Sequence, residues 1–246
     1  MIKAVGVIPA RLGSTRLPAK VLREIGGIPM ICHVWRRASK ASALSDLIVA
    51  TDDESIVKCV TEFGGKAVMT RVDHPNGSSR AAEACGGFDA DVVVNIQGDE
   101  PLIDPRNIDL VVEGFRRDPA QEVVTLAVKR TDREGYANPN VVKVVCGAKG
   151  EALYFSRSPL PYYRDEGTPV SYLKHLGIYG YKKQFLLKFV TWKTGRLEDF
   201  EKLEQLRILE QGASILVVET AFDSLSVDTE SDLIAVESKM KTLSRE

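Results

Sequence analysis

Arg11, Arg16 and Lys20 crowd one short loop near the amino end of this 246-residue chain. The loop also carries Gly13, Ser14, Thr15 and Pro18, and it follows the apolar run Ala4-Val5-Gly6-Val7-Ile8-Pro9-Ala10, which reads as a buried strand. A strand that ends in a cationic, hydroxyl-bearing loop can hold polyphosphate. Arg offers paired planar donors to phosphate oxygens, Lys offers a mobile point charge, and small residues let backbone N–H groups approach the anion. The same charges would equally serve a solvated loop that touches only water. The spelling is neither G-x-x-x-x-G-K-[ST] nor G-x-G-x-x-G, which argues against a P-loop ATPase and a dinucleotide dehydrogenase.

Carboxylates supply a second chemistry. Asp99 follows Val92-Val93-Val94-Asn95-Ile96-Gln97-Gly98, a plausible central strand. A carboxylate past the carboxyl end of such a strand can hold Mg²⁺ together with substrate phosphates; as a structural residue it would cap the next turn. Thr229 and Asp232 spell a capping box for a last helix, which leaves Asp228 just outside it. Asp228 is the natural second metal ligand, with simple turn chemistry as the competing account. Arg157 follows a strand, and His175 and Tyr179 stand at i and i+4 on one strand face. Together they could bind a hydroxylated carboxylic acid, Arg on the carboxylate and His and Tyr on hydroxyls. In strands, however, Tyr and His are usually half-buried packing. His33 reads as a structural helix residue with a local hydrogen bond.

These residues need elements to position them. Residues 28–38, 105–117, 182–191 and 197–211 read as helices, the last with Phe200, Leu203, Leu206 and Leu209 on its apolar face. Asp52 and Asp53 should cap another, with Ile56, Val60 and Phe63 inward and Gly64-Gly65 at its end. Strands are expected at 46–51, 66–70, 92–96, 122–129 and 214–219, and residues 71–80 as a polar loop. The strand–helix alternation predicts an α/β, Rossmann-like, mostly parallel sheet flanked by helices. Polar loops at its strand ends would line the ligand crevice. From about Tyr136 the texture changes to short strands separated by Pro-bearing loops. The expected organisation is one domain over 1–246, with a small mixed β lobe at about 136–195 that caps the crevice.

Composition narrows the partners. With 33 basic and 34 acidic residues the formal charge is −1, which gives no reason to expect nucleic acid or an anionic membrane. Cys32, Cys59, Cys85 and Cys146 lack C-x-x-C spacing, against a zinc site or a disulfide framework. The amino end shows no signal-peptide apolar region, and no apolar run nears the roughly 20 residues that cross a bilayer. The chain reads as a soluble cytoplasmic protein.

Pro9-Ala10-Arg11-x-x-Ser14-Thr15-Arg16-Leu17-Pro18-x-Lys20 resembles the nucleotide-binding loop of cytidylyltransferases that activate acidic sugars, most of all the 3-deoxy-manno-octulosonate cytidylyltransferase (CMP-KDO synthetase) family. Further motifs agree in order through Leu233: Gln97-Gly98-Asp99-Glu100-Pro101, Tyr154-Phe155-Ser156-Arg157, His175-Leu176-Gly177-Ile178-Tyr179-Gly180-Tyr181, Leu203-Glu204-Gln205-Leu206-Arg207 and Val227-Asp228-Thr229. In Arg71-Val72-Asp73-His74-Pro75-Asn76-Gly77-Ser78-Ser79-Arg80, Ser79 stands where the family pattern carries an acid.

The resemblance implies a nucleotidyltransferase-type fold and a homodimer. It implies CTP and an acidic sugar of the KDO type as substrates, Mg²⁺ as cofactor, and a place in lipopolysaccharide biosynthesis. It assigns Ala10, Arg11, Ser14, Arg16, Lys20, Arg71, Gly77, Ser78, Arg80 and Gln97 to the nucleotide. Arg157, His175, Tyr179, Glu204 and Gln205 go to the sugar, Asp99 and Asp228 to the metal, and Lys20, Arg11, Asp99 and Asp228 to catalysis. Glu204 with Arg207 is otherwise an ordinary helix ion pair at i, i+3. An 8-amino or sialic-type acid remains an alternative substrate. A nucleotide-sugar-binding glycosyltransferase domain is the alternative from another class, although the Asp89-Ala90-Asp91 spelling precedes its strand rather than following it.

Overall fold

The computed structural model describes residues 2–13, 17–165 and 167–243. Ser14 and Arg16, assigned above to the nucleotide, lie outside them. In chain order the strands are β1 (Ala4–Ala10), β2 (Glu24–Ile25), β3 (Ile28–Pro29), β4 (Asp46–Thr51), β5 (Ala67–Met69) and β6 (Val92–Asn95). They continue with β7 (Val123–Arg130), β8 (Lys143–Cys146), β9 (Ala152–Ser156), β10 (Tyr172–Lys182) and β11 (Leu216–Thr220). The helices are α1 (Met30–Ala38), α2 (Glu54–Glu62), α3 (Gly77–Ala84), α4 (Pro105–Arg117), α5 (Arg133–Ala137), α6 (Lys183–Phe189), α7 (Arg196–Glu201), α8 (Leu206–Glu210) and α9 (Glu230–Leu243).

A nine-stranded mixed sheet runs β11-β7-β10-β6-β1-β4-β5, with β8 attached to β10 and β9 to β8. β1 pairs in parallel with β4 and β6, β4 with β5, and β7 with β11. Alternation along β1 explains the layering. Ala4, Ile8 and Ala10 join a core with α1, α2 and α4, while Val5 and Val7 join a second core with α3, α6 and α8. Helices therefore cover both faces, and the central strands are apolar on both. No helix among the described residues is long and apolar enough to cross a membrane.

Four local readings are corrected by the fold. Residues 71–80 are not loop throughout: Asn76 accepts from Ser79 N and starts α3 at Gly77. Asp53 alone caps α2, while Asp52 pairs with Arg80 at 3.2 Å. Ile28 and Pro29 form a short ribbon with Glu24 and Ile25 before α1 begins. The helix expected over 197–211 is two helices. Lys202 adopts φ 53°, which ends α7, and Phe200 points outward at 71% exposure while Leu203 and Leu206 fill the core. A continuous helix would put Phe200 and Leu203 on one face; the left-handed residue separates them.

β10 lies inside the main sheet, antiparallel to both β6 and β7. Between Leu176, opposite Leu126, and Tyr179, opposite Thr125, the strand bulges by Gly177 and Ile178. An insertion of even length preserves side-chain parity, so His175 and Tyr179 still share a face.

Candidate active site

Strand ends of the parallel half converge on one point. β6 is buried throughout, and the chain then turns at Gly98. A Cβ at Gly98 would lie 2.8 Å from the Pro9 carbonyl oxygen, so only glycine lets this turn press against β1. Asp99 thereby arrives beside the loop after β1. The Asp99 carbonyl accepts from Val227 N at 2.9 Å, which brings in the segment before α9. Thr229 and Asp232 cap α9 as their spacing predicts, and Asp232 also accepts from Asp228 N at 3.0 Å.

Lys20 stands between the two aspartates. Its Nζ donates to Asp99 Oδ2 at 2.6 Å and to Asp228 Oδ1 at 3.0 Å. Burial disfavours the ammonium, but Asp99 and Asp228 outweigh it and hold the Lys20 pKa above that of a free lysine. Ala19, immediately before, is held at φ 50°, a strained conformation for a residue with a Cβ. Two hard oxygen donors that converge on one cation suit Mg²⁺, whose remaining sites go to water and substrate phosphates.

Two cavities meet here. The first, about 360 Å³, is lined by Ala10, Arg11, Lys20, Gly77, Arg80 and Gln97 among others. The second, about 780 Å³, is lined by Ser78, Arg157, His175, Tyr179, Glu204 and Gln205. Asn95, Gln97, Asp99 and Asp228 line both. Arg71 lines neither; it turns to Glu83 at 3.2 Å and to Asp73 at 3.5 Å. Arg80 is buried, with its guanidinium on Thr70 Oγ1 and Asp52. His74 pairs with Glu83 at 2.6 Å and with Ser79 Oγ at 3.2 Å rather than with Asp73. The carboxylate that serves His74 and Arg71 thus comes from Glu83, one turn beyond Ser79.

The second cavity adds uncharged hydrogen-bonding groups to charged ones. Burial drives the His175 pKa down to about 3, so the ring is neutral. Thr125 donates to the Ile178 carbonyl at 2.7 Å, so His175 donates from Nε2 to Thr125 and keeps Nδ1 as an acceptor. Gln97 Nε2 donates to the bulged Gly177 carbonyl at 2.8 Å. Arg157 donates from Nε to Glu201 O at 2.7 Å and from Nη1 to Pro139 O at 3.0 Å. Those carbonyls orient the guanidinium without neutralising it. Glu204 accepts from Ser78 Oγ at 2.8 Å and Arg207 Nη2 at 3.0 Å, so the i, i+3 ion pair and a position at the cavity wall coexist.

Some residues of this site were given no role from the sequence, although Glu100 belongs to the Gln97–Pro101 motif and Asn95 to the strand before it. Glu100 is buried against the second cavity, and burial, with help from Asp99 and Asp223, pushes its pKa up to about 7. Lys174, which lines the same cavity, pairs with Asp223 at 2.6 Å. Asn95 had one legible sign: a carboxamide in a strand otherwise buried and apolar.

A family model described as cytidylyltransferase matches residues 5–215. A 3-deoxy-manno-octulosonate cytidylyltransferase of Trichlorobacter lovleyi is 46% identical over 250 residues, covering 98% of this chain and 99% of the relative. The chain belongs to this family. A protein of the same name from Syntrophobacter fumaroxidans is 48% identical over 239 residues, 96% of each chain. A solved CMP:2-keto-3-deoxy-manno-octonic acid synthetase complexed with CTP superposes with TM-score 0.92 at 44% identity, covering 98% of this chain and 99% of that one. Membership makes the chain a nucleotidyltransferase and agrees with the sheet order and flanking helices described above.

Proposed function

We propose that this enzyme joins CTP to 3-deoxy-D-manno-octulosonate (KDO), giving CMP-KDO and pyrophosphate. The observation that carries the reading is the convergence of Asp99 and Asp228 on Lys20 in the wall common to both cavities. One cavity has cations for a triphosphate, and the other has a guanidinium and neutral hydrogen-bonding groups for a hydroxylated acid. The relatives' printed name and the CTP named with the solved synthetase support the same substrates.

The reaction is an in-line displacement at phosphorus, which needs alignment and charge neutralisation more than covalent catalysis. Asp99 and Asp228 would hold Mg²⁺, which when bound neutralises phosphate charge and lowers the pKa of a nearby hydroxyl. Lys20 and Arg11 bind the triphosphate and stabilise the leaving pyrophosphate. Lys20 acts as a charge and not a base, because its carboxylate neighbours keep it protonated. Arg157 takes the sugar carboxylate. His175 accepts from a sugar hydroxyl at Nδ1, and Tyr179, Glu204 and Gln205 line the rest of the acid's pocket. Gln205 Nε2 is a buried donor with no protein partner among the described residues, as a substrate contact would require.

The same reading makes the enzyme a cytoplasmic homodimer in lipopolysaccharide biosynthesis. Exposed Leu153, Tyr162 and Phe200 on and beside the 136–195 segment support a dimer contact, which light scattering would test. The activity is tested by pyrophosphate release with CTP, Mg²⁺ and KDO, 8-amino-KDO or N-acetylneuraminate, each repeated with UTP and ATP. Release with CTP and KDO is expected. Release with another acid only would change the sugar, and no release with any acid would overturn the reading.

A further inference from the structure

Asn95 ends β6 as the one polar residue of that strand, and it keeps 4% of its surface. It faces the α3 and α6 side of the sheet, opposite Tyr179 of β10, and lines both cavities. Its Oδ1 is buried with no hydrogen-bond partner among the described residues. A buried acceptor left unmade is unfavourable and calls for a donor from elsewhere.

The amide's orientation follows from a chain of donors. Arg207 has only donors. Its Nη2 bonds Glu204 Oε1 at 3.0 Å, its Nη1 bonds the Trp192 carbonyl at 2.7 Å, and its Nε lies 3.0 Å from Glu198 Oε2. Burial pushes the Glu204 pKa up, while Arg207 and Ser78 favour the ionised form; as the carboxylate, its Oε2 takes the single proton of Ser78 Oγ at 2.8 Å. Ser78 has no second proton to give, so it accepts from Asn95, whose Nδ2 lies 3.5 Å away. The amide cannot flip without placing two acceptors against each other, and Oδ1 must point away from Ser78.

We propose that Asn95 is a substrate-binding, specificity-determining residue whose Oδ1 accepts a hydrogen bond from a hydroxyl of the acidic sugar where the two cavities meet. The inference rests on the cytidylyltransferase reading above and adds a contact to it. Phosphates and the sugar carboxylate bring only acceptors and would be repelled by this oxygen. Sugar hydroxyls bring donors; the ribose and cytosine amine of CTP do so too, and the acidic sugar is favoured because Ser78 and Tyr179, the neighbours of Asn95, line the second cavity and not the first. Arg207 is then a positioning residue, acting through Glu204 and Ser78.

The test is steady-state kinetics of Asn95→Ala and Asn95→Asp with CTP and KDO varied separately, beside KDO analogues that each lack one hydroxyl. Asn95→Ala should raise KM for KDO roughly ten- to a hundred-fold while KM for CTP stays within about two-fold. Wild-type enzyme should discriminate against one deoxy analogue, and Asn95→Ala should lose that preference. Asn95→Asp removes the donor to Ser78 and adds charge beside Asp99, so its KM for KDO should rise at least as far. CTP binding by calorimetry shows that each variant is folded; should Asn95→Ala not fold, the isosteric Asn95→Asp carries the test. An unchanged KM for KDO, or a rise confined to CTP, overturns the Asn95 assignment and leaves the activity standing. A wild-type enzyme inert with every acid overturns the activity and the assignment together.

Discussion

In the first cavity and in the wall it shares with the second the decisive groups are ionic: Lys20, Asp99 and Asp228 keep side-chain exposures of 13, 26 and 37%. In the second, His175 is neutral and Tyr179 and Tyr181 are buried with their hydroxyl pKa values driven up by burial, while behind Glu204 of its wall Arg207 is enclosed by Glu198 and Glu204. The first is assembled at the carboxyl ends of parallel strands by short loops. The second depends on β10 inserting antiparallel between β6 and β7 and on a break in the α7–α8 segment. A triphosphate is recognised by charge, which tolerates water and needs only placement. A sugar acid is recognised by hydrogen bonds of fixed polarity, which discriminate best where water is excluded. On the proposed reading, charge and hydrogen-bond polarity are handled on opposite sides of one pair of aspartates.

That contrast can be broken by substitution. Asp99→Ala should lower kcat by about a thousand-fold or more while leaving CTP bound, as read by pyrophosphate release and calorimetry; unchanged turnover would sink the metal assignment. Arg207→Met should lose about 2 kcal/mol of stability in urea unfolding, because two half-buried glutamates, Glu198 and Glu204, are left unpaired. Lys20→Met, whose partners Asp99 and Asp228 keep more exposure than those of Arg207, should cost less, about 1 kcal/mol of stability, despite a severe loss of turnover. If the two variants were destabilised alike, the distinction between the more exposed and the more enclosed ion pairs would fail.

The pH dependence sharpens the same point. His175 titrates near 6.5 when unfolded and about 3 when folded, so the unfolded chain binds the extra proton between these values. Its contribution is fully present above pH 6.5 and is lost as pH falls toward 3. Between pH 6.5 and about 5 the loss should reach about 2 kcal/mol, and His175→Asn should flatten the difference in unfolding free energy over that range. The smallest effect is expected at the left-handed break: Lys202→Gly should stabilise by about 0.5–1 kcal/mol, seen as a higher urea midpoint.

Much of the first cavity was legible before folding, since its residues come in compact runs. Lys20 follows β1 within one loop, Gln97-Gly98-Asp99 closes β6, and the Thr229–Asp232 capping box holds Asp228 outside α9. The second cavity was less so. Leu197–Gln211 has the periodicity of one helix, and nothing local announces that Lys202 will turn left-handed. Ser78, Glu204 and Arg207 are joined across more than a hundred residues. Arg71 kept its motif, but the side chain turned to Glu83.

Alternation, caps and apolar runs determined the strands of the parallel half, the helices on both its faces and the carboxylates at its strand ends, because these depend on neighbours within a few residues. Only the tertiary structure decided that β10 would run antiparallel through the centre of the sheet, that Arg207 would be buried between two glutamates, and that Asn95 would be left with an unmet acceptor. Each of those outcomes is a balance of burial and hydrogen bonding among residues far apart in the chain, and local propensity has no term for it.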